Sequence, residues 1–162
     1  MDHTHSGSHP PDPPSPTADR VALRHLVDSY AQLVDAGDAA AAAALFAEDG
    51  QLVSRLHAGG DATPFVRRGR PEITGALTAG LERYEVTTHV VGGQVVDLDG
   101  DTATGTTVCL AHHVYATAGT RRLLVMAVRY TDGFTRQPGG WRFSERQLHL
   151  DWRQDRALED RP

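Results

Sequence analysis

Asp35, His89 and the pair His112-His113 are the residues of this sequence whose chemistry invites combination. A carboxylate on one imidazole nitrogen fixes the tautomer and stabilises the imidazolium, leaving the other nitrogen to accept a proton. A general base held this way contributes about 10²- to 10⁴-fold to a rate. Asp35 stands out by its position. Leu23, Leu26, Val27, Tyr30, Leu33 and Val34 recur at helical spacing up to Gly37, so Asp35 falls in the last turn of a helix. The macrodipole disfavours an anion there by about 0.3–1 kcal/mol. A residue that works against its surroundings points to a site, although a solvated aspartate before a turn explains it as well. Tyr30 lies on the apolar stripe of the same helix and reads as a core aromatic, whose hydroxyl needs a partner when buried.

His89 and the histidine pair sit near the outer ends of one stretch, Thr87 to His113. It reads as two strands folded at Asp99-Gly100-Asp101, a strong hairpin signal between apolar alternating runs. Folding there returns the two ends beside each other, so imidazoles meet on neighbouring strands. His112 and His113 must face opposite sides of the sheet. His112 shares parity with Val108 and Leu110, His113 with Cys109 and Ala111, and a bulge would exchange them. The reading adopted places His112 in the site. Asp35, His89 and His112 would also form a two-histidine, one-carboxylate metal set, but the expectation is that no metal and no cofactor is used.

Composition narrows the function classes. The 162 residues suit one domain with a substantial core. A net charge of −5 argues against a nucleic-acid partner, which would want a basic face. The single cysteine, Cys109, falls in an apolar strand and reads as buried and inert. No apolar run approaches membrane-spanning length, and no signal pattern opens the chain. A soluble cytoplasmic protein without membrane contact is the expectation.

The chain divides into three. Residues 1–17 are rich in proline and histidine and read as a disordered tail, in which His3, His5 and His9 are incidental. Residues 18–153 form the domain, and 154–162 a charged, frayed tail. A first helix from Asp19 is followed by a second, alanine-rich one with Asp38 as N-cap, running through Phe46. Glu48-Asp49-Gly50 reads as a turn, Gln51 to Leu56 as a short strand, and His57 to Pro64 as a flexible rim or lid loop. Pro71 and Glu72 open a third helix, extending to about Tyr84. Four long strands follow: Glu85–Leu98, Thr102–Ala116, Arg121–Arg136 and Trp141–Trp152. Helices first and strands after imply an α+β class, with three N-terminal helices packed on a curved, mostly antiparallel sheet. Arg129, Arg146 and Asp132 in the last strands read as paired structural charges.

At these residues the sequence resembles the SnoaL-like branch of the nuclear transport factor two-like superfamily. The likeness rests on Tyr30-Ala-Gln-Leu-Val-Asp35-Ala-Gly-Asp38, Ala44-Leu45-Phe46-Ala47-Glu48-Asp49-Gly50, Gly69-Arg70-Pro71-Glu72-Ile73, Thr88-His89-Val90-Val91, Arg129-Tyr130-Thr131-Asp132 and Gly140-Trp141-Arg142-Phe143, in that order. It implies a cone-shaped α+β roll enclosing an apolar pocket. It also implies the Asp–His dyad of scytalone dehydratase, bile acid dehydratase and hexachlorocyclohexane dehydrochlorinase, here at Asp35 and His89. The helix tyrosine of bile acid dehydratase resembles Tyr30, and the second histidine of scytalone dehydratase resembles His112. A homo-oligomer, dimer or trimer, through the exposed sheet face is a further implication.

The expected function is that of a cofactor-independent, dehydratase-type lyase acting on a hydrophobic small molecule, with His89, Asp35, Tyr30 and His112 catalytic. An isomerase, a polyketide cyclase or an epoxide-opening hydrolase would use the same residues, and a non-catalytic ligand-binding or assembly module is the competing class.

Overall fold

Residues 15–55 and 63–159 are described in the structure, a computed structural model. The proline-rich segment through residue 14, most of the predicted rim loop (57–62) and the last three residues lie outside them.

Helix α1 (Pro16–Asp35) starts earlier than its apolar stripe, because Ser15 caps it by accepting the Ala18 N–H and Pro16 takes the first position. Its N-terminal end is pinned to the sheet. Asp19 accepts the Trp141 indole N–H at 3.0 Å and an Arg136 N–H at 2.7 Å. Asp38 caps the short α2 (Ala39–Ala44) as expected, but the chain is already extended at Phe46. Strand β1 (Phe46–Arg55) therefore runs through the predicted Glu48-Asp49-Gly50 turn, which is a register irregularity between Phe46 and Gln51. Gly50 is needed there, since a Cβ would lie 3.0 Å from the Phe143 carbonyl oxygen. A four-residue strand that the sequence reading lacked, β2 (Phe65–Arg68), precedes α3 (Gly69–Leu81). Arg70 ties α3 to β1 by donating to the Phe46 carbonyl at 2.8 and 3.0 Å.

The four long strands are β3 (Val86–Asp99), β4 (Thr102–Thr117), β5 (Thr120–Gln137) and β6 (Gly140–Ala157). With β1 and β2 they form one six-stranded sheet in the order β2-β1-β6-β5-β4-β3, antiparallel except for the β1–β6 pair. The segment expected to fray instead continues β6, where Gln154 to Ala157 pair with Val125 to Arg122. Helices cover one face of the curved sheet, and the main core lies between them, with Leu23, Val27, Phe46, Ile73, Phe134 and Phe143 nearly or fully buried. Tyr30 packs edge-on against Phe46 and Phe143 at centroid distances of 6.1 and 6.0 Å. This is the α+β cone that the sequence predicts.

One irregularity sets the geometry of the site. Between Val91 and Gln94, Gly92 and Gly93 together oppose Val108, a one-residue bulge. Gly92 suits it, because a Cβ would sit 3.2 Å from the Val108 carbonyl oxygen. Arg24 of α1 holds the bulge by donating to the Gly92 carbonyl at 2.7 Å, and is itself paired with Asp28.

Candidate functional site

Asp35 is the last residue of α1, and the donors that compensate its unfavourable position come from β3. His89 Nδ1–H donates to Oδ1 at 2.6 Å, the His89 backbone N–H donates to Oδ2 at 2.8 Å, and the Thr87 hydroxyl donates to Oδ1 at 2.9 Å. Burial opposes the carboxylate's charge, but the His89 ring, its N–H and Thr87 outweigh it and hold the pKa below the ordinary carboxylate range. Asp35 thus fixes the protonated nitrogen of His89 at Nδ1. Nε2 has no protein hydrogen-bond partner among the described residues, and His89 lines a cavity of about 150 Å³.

The cavity lies between α1, α3 and the inner face of the sheet, and its wall is mostly apolar: Val34, Leu77, Met126, Val128 and Leu148 contribute. Six polar side chains interrupt it, namely His89, His113, Tyr30, Tyr84, Tyr130 and Arg83. Tyr30 stands where the sequence reading put it, and burial pushes its hydroxyl up to about 12. It remains protonated at neutral pH and can only donate or accept a hydrogen bond.

The choice between the two histidines is corrected. Along β4 the buried side chains keep one parity, Ala103, Thr107, Cys109, Ala111 and His113, so His113 faces inward and lines the cavity while His112 faces outward. The Gly92-Gly93 bulge brings β3 into step, pairing His89 with Ala111 on that inner face and Thr88 with His112 on the other. The same parity separates His112 from Asp35 and His89, so the two-histidine, one-carboxylate metal set is not assembled. His113 is 5% exposed. Burial, the neighbouring His89 and Arg83 lower its pKa to about 4, so the ring is neutral at pH 7.

The SnoaL-like domain family matches residues 15–147. The chain belongs to this family, within the nuclear transport factor two-like superfamily. Rv2910c of Mycobacterium tuberculosis is 29% identical to this SnoaL-like protein over 130 residues, 80% of this chain and 83% of that protein. A nuclear transport factor two-like protein with a cystatin-like fold from Novosphingobium aromaticivorans is 30% identical, with a TM-score of 0.63 and 83% of each chain covered. Hexachlorocyclohexane dehydrochlorinase LinA-type3 of Novosphingobium barchaimii superposes with a TM-score of 0.72 over 90% of this chain and 96% of that one. At 16% identity, that likeness is one of fold.

Two residues at or behind the cavity wall were not among the sequence-predicted site residues. Tyr130 lines the cavity from β5, and Arg146 lies behind it on β6 with no exposure. Arg146 donates twice to Asp132, each time at 2.8 Å, and its guanidinium carbon sits 4.5 Å from the Tyr30 ring centroid and 4.2 Å from that of Tyr130. The charge pairing was legible in the sequence, but its burial under two cavity tyrosines was not. Among the described residues no helix is long and apolar enough to cross a membrane, which says nothing of a β-barrel.

Proposed function

We propose that this SnoaL-like protein is a cofactor-independent lyase of the dehydratase type, acting on a small, largely apolar molecule with an activated C–H bond. The observation that carries the reading is the Asp35–His89 contact of 2.6 Å with His89 at the wall of an apolar cavity. His89 Nε2 takes the proton from carbon, and Asp35 stabilises the imidazolium through Nδ1. The C–H electron pair becomes the new C=C bond as the C–O bond of the leaving hydroxyl breaks. His89 then returns its proton to that oxygen, and water leaves, so the enzyme ends in its starting state. Tyr30 and the neutral His113 ring are suited to donate hydrogen bonds to an activating carbonyl, where negative charge grows in the transition state. Dehydrochlorination by the superposing LinA-type3 fold, an elimination too, is consistent with this chemistry.

Turnover by His89→Ala and Asp35→Asn variants tests the proposal on a panel of β-hydroxy ketones and halogenated cycloalkanes. Each variant loses about 10²- to 10⁴-fold in kcat while its unfolding profile stays cooperative. Near wild-type rates in both would refute the role of the pair.

The outer sheet face supports self-association as a dimer or trimer. Val90, Leu110, Ala127 and Trp152 are cross-strand neighbours along one row, and the first, second and fourth are 53%, 39% and 52% exposed.

A further inference from the structure

A volume of about 150 Å³ holds a single six-membered ring and little else. Anything larger must extend outward. The cavity continues past Arg83, Tyr84 and Met126, which line both it and a wider outer chamber of about 530 Å³. The outer chamber differs in chemistry. Arg83, Arg153, Tyr115, Ser54 and Asp155 contribute to its wall. Asp155 is its single carboxylate among the described residues, and it is already engaged by Arg122 at 2.8 Å and by the Tyr115 hydroxyl at 2.6 Å.

Arg83 and Arg153 are not so engaged. Neither has a carboxylate within salt-bridge distance among the described residues. Arg83 rests over the Tyr84 ring at 4.8 Å, which orients the guanidinium without neutralising it. It lies two residues beyond α3 and lines a third groove beside Arg67 as well, so it borders the inner cavity, the outer chamber and that groove. Arg83 is near enough to His113 to disfavour the protonated ring, which places its charge close to the inner cavity. A protein with a net charge of −5 thus presents, at the opening of an apolar cavity, two guanidinium groups with no salt-bridge partner among the described residues. Such groups recognise oxyanions with charge-assisted, often paired hydrogen bonds.

We propose that the substrate carries an oxyanion, a carboxylate or a phosphate, that binds between Arg83 and Arg153 while its apolar reacting part occupies the inner cavity against His89. This assignment rests on the lyase reading of the inner cavity and adds the substrate's charge. Arg83 and Arg153 then select and orient: they set which end of an elongated molecule enters first.

Two fluorescent probes that differ in one charge test it. 8-Anilinonaphthalene-1-sulfonate carries a sulfonate, and N-phenyl-1-naphthylamine is its uncharged analogue. The wild-type protein is expected to bind the sulfonate about tenfold more tightly than the neutral probe. In Arg83→Ala/Arg153→Ala that preference disappears while the neutral probe binds as before. An Arg20→Ala/Arg142→Ala control pair, the latter at the opposite end of β6, keeps it. Unchanged thermal unfolding of each variant excludes exposure of the core as the source of any signal. Benzoate and phenyl phosphate should displace the sulfonate at lower concentration than benzamide, and their order tells which oxyanion the chamber prefers. Equal binding of the two probes to the wild type, or a preference that survives the double variant, overturns the oxyanion site and leaves the lyase reading standing. Binding of neither probe overturns it together with the cavity on which that reading depends.

Discussion

The His89 and His113 rings meet edge to face, with centroids 5.6 Å apart and planes at 87°. Burial, with the His89 ring and Arg83 beside it, keeps the His113 ring neutral at pH 7. The pair is therefore divided between one base, braced by Asp35, and one neutral hydrogen-bonding ring. Removing the second ring should lower kcat by about 10²-fold, the usual cost of one transition-state donor. His113→Ala is expected to show that loss, whereas His112→Ala on the outer face keeps wild-type turnover. Steady-state kinetics of the two variants decides the matter, and the reverse ranking would show that the register places the wrong ring inside.

Acid stability reports the same burial. The folded pKa of His113 is about 4, against 6.5 for the free side chain. Between these values the unfolded chain binds a proton that the folded protein does not, so stability falls as pH is lowered through this window. The loss from this group is roughly 3 kcal/mol, at about 1.4 kcal/mol for each pH unit. The depressed Asp35 carboxylate extends the trend to lower pH, since its stabilisation disappears as pH falls through its folded value. Urea unfolding at pH 7, 5.5 and 4 should show a clearly shallower dependence for His113→Leu than for the wild type. Parallel curves would mean that the ring titrates normally in the folded state.

Arg146 and Asp132 are each wholly buried. Asp132→Ala leaves the guanidinium in the core without its counter-charge, and a loss of about 3–5 kcal/mol follows. Asp132→Leu/Arg146→Met removes both charges and should recover most of that stability. Because the guanidinium lies against Tyr30 and Tyr130, the double variant should still lose turnover. Chemical denaturation and kinetics on the same two proteins separate these effects. A double variant no more stable than Asp132→Ala would contradict the charge-burial account.

Leu110→Glu and Trp152→Glu place a charge in the exposed apolar row without touching the cavity. Sedimentation equilibrium should show a wild-type oligomer of this SnoaL-like protein and variants shifted toward the monomer. An oligomer indifferent to both substitutions would locate the interface elsewhere.

What could be read from the residues was whatever depends on local chemistry. Helical spacing from Leu23 to Val34, the Asp38 cap and the Asp99-Gly100-Asp101 turn each declare themselves within a few residues. So did the fold class, and Asp35 and His89 were identified from their places on a helix end and a strand. Their hydrogen bond joins residues 54 positions apart, and its formation depends on how α1 crosses β3.

Contacts between distant segments decided the rest. Strand β2 is too short to announce itself and exists because β1 offers an edge to pair with. The end of β6 is charged, yet it stays extended because β5 supplies backbone partners as far as Arg122. The meeting of His89 with His113 turned on a single extra residue. In a strand the side-chain period is two, so the bulge at Gly92-Gly93 switches the inner face of β3 from the parity of Val96 and Leu98 to that of His89, while β4 keeps one parity from Ala103 to His113. The glycines permit that bulge, but Arg24, reaching across from α1 to the Gly92 carbonyl, holds it in place. The amino-acid order determined which groups were available for chemistry, and the packing of α1 on β3 determined which of them meet, because register in a sheet is set by partners that local sequence does not contain.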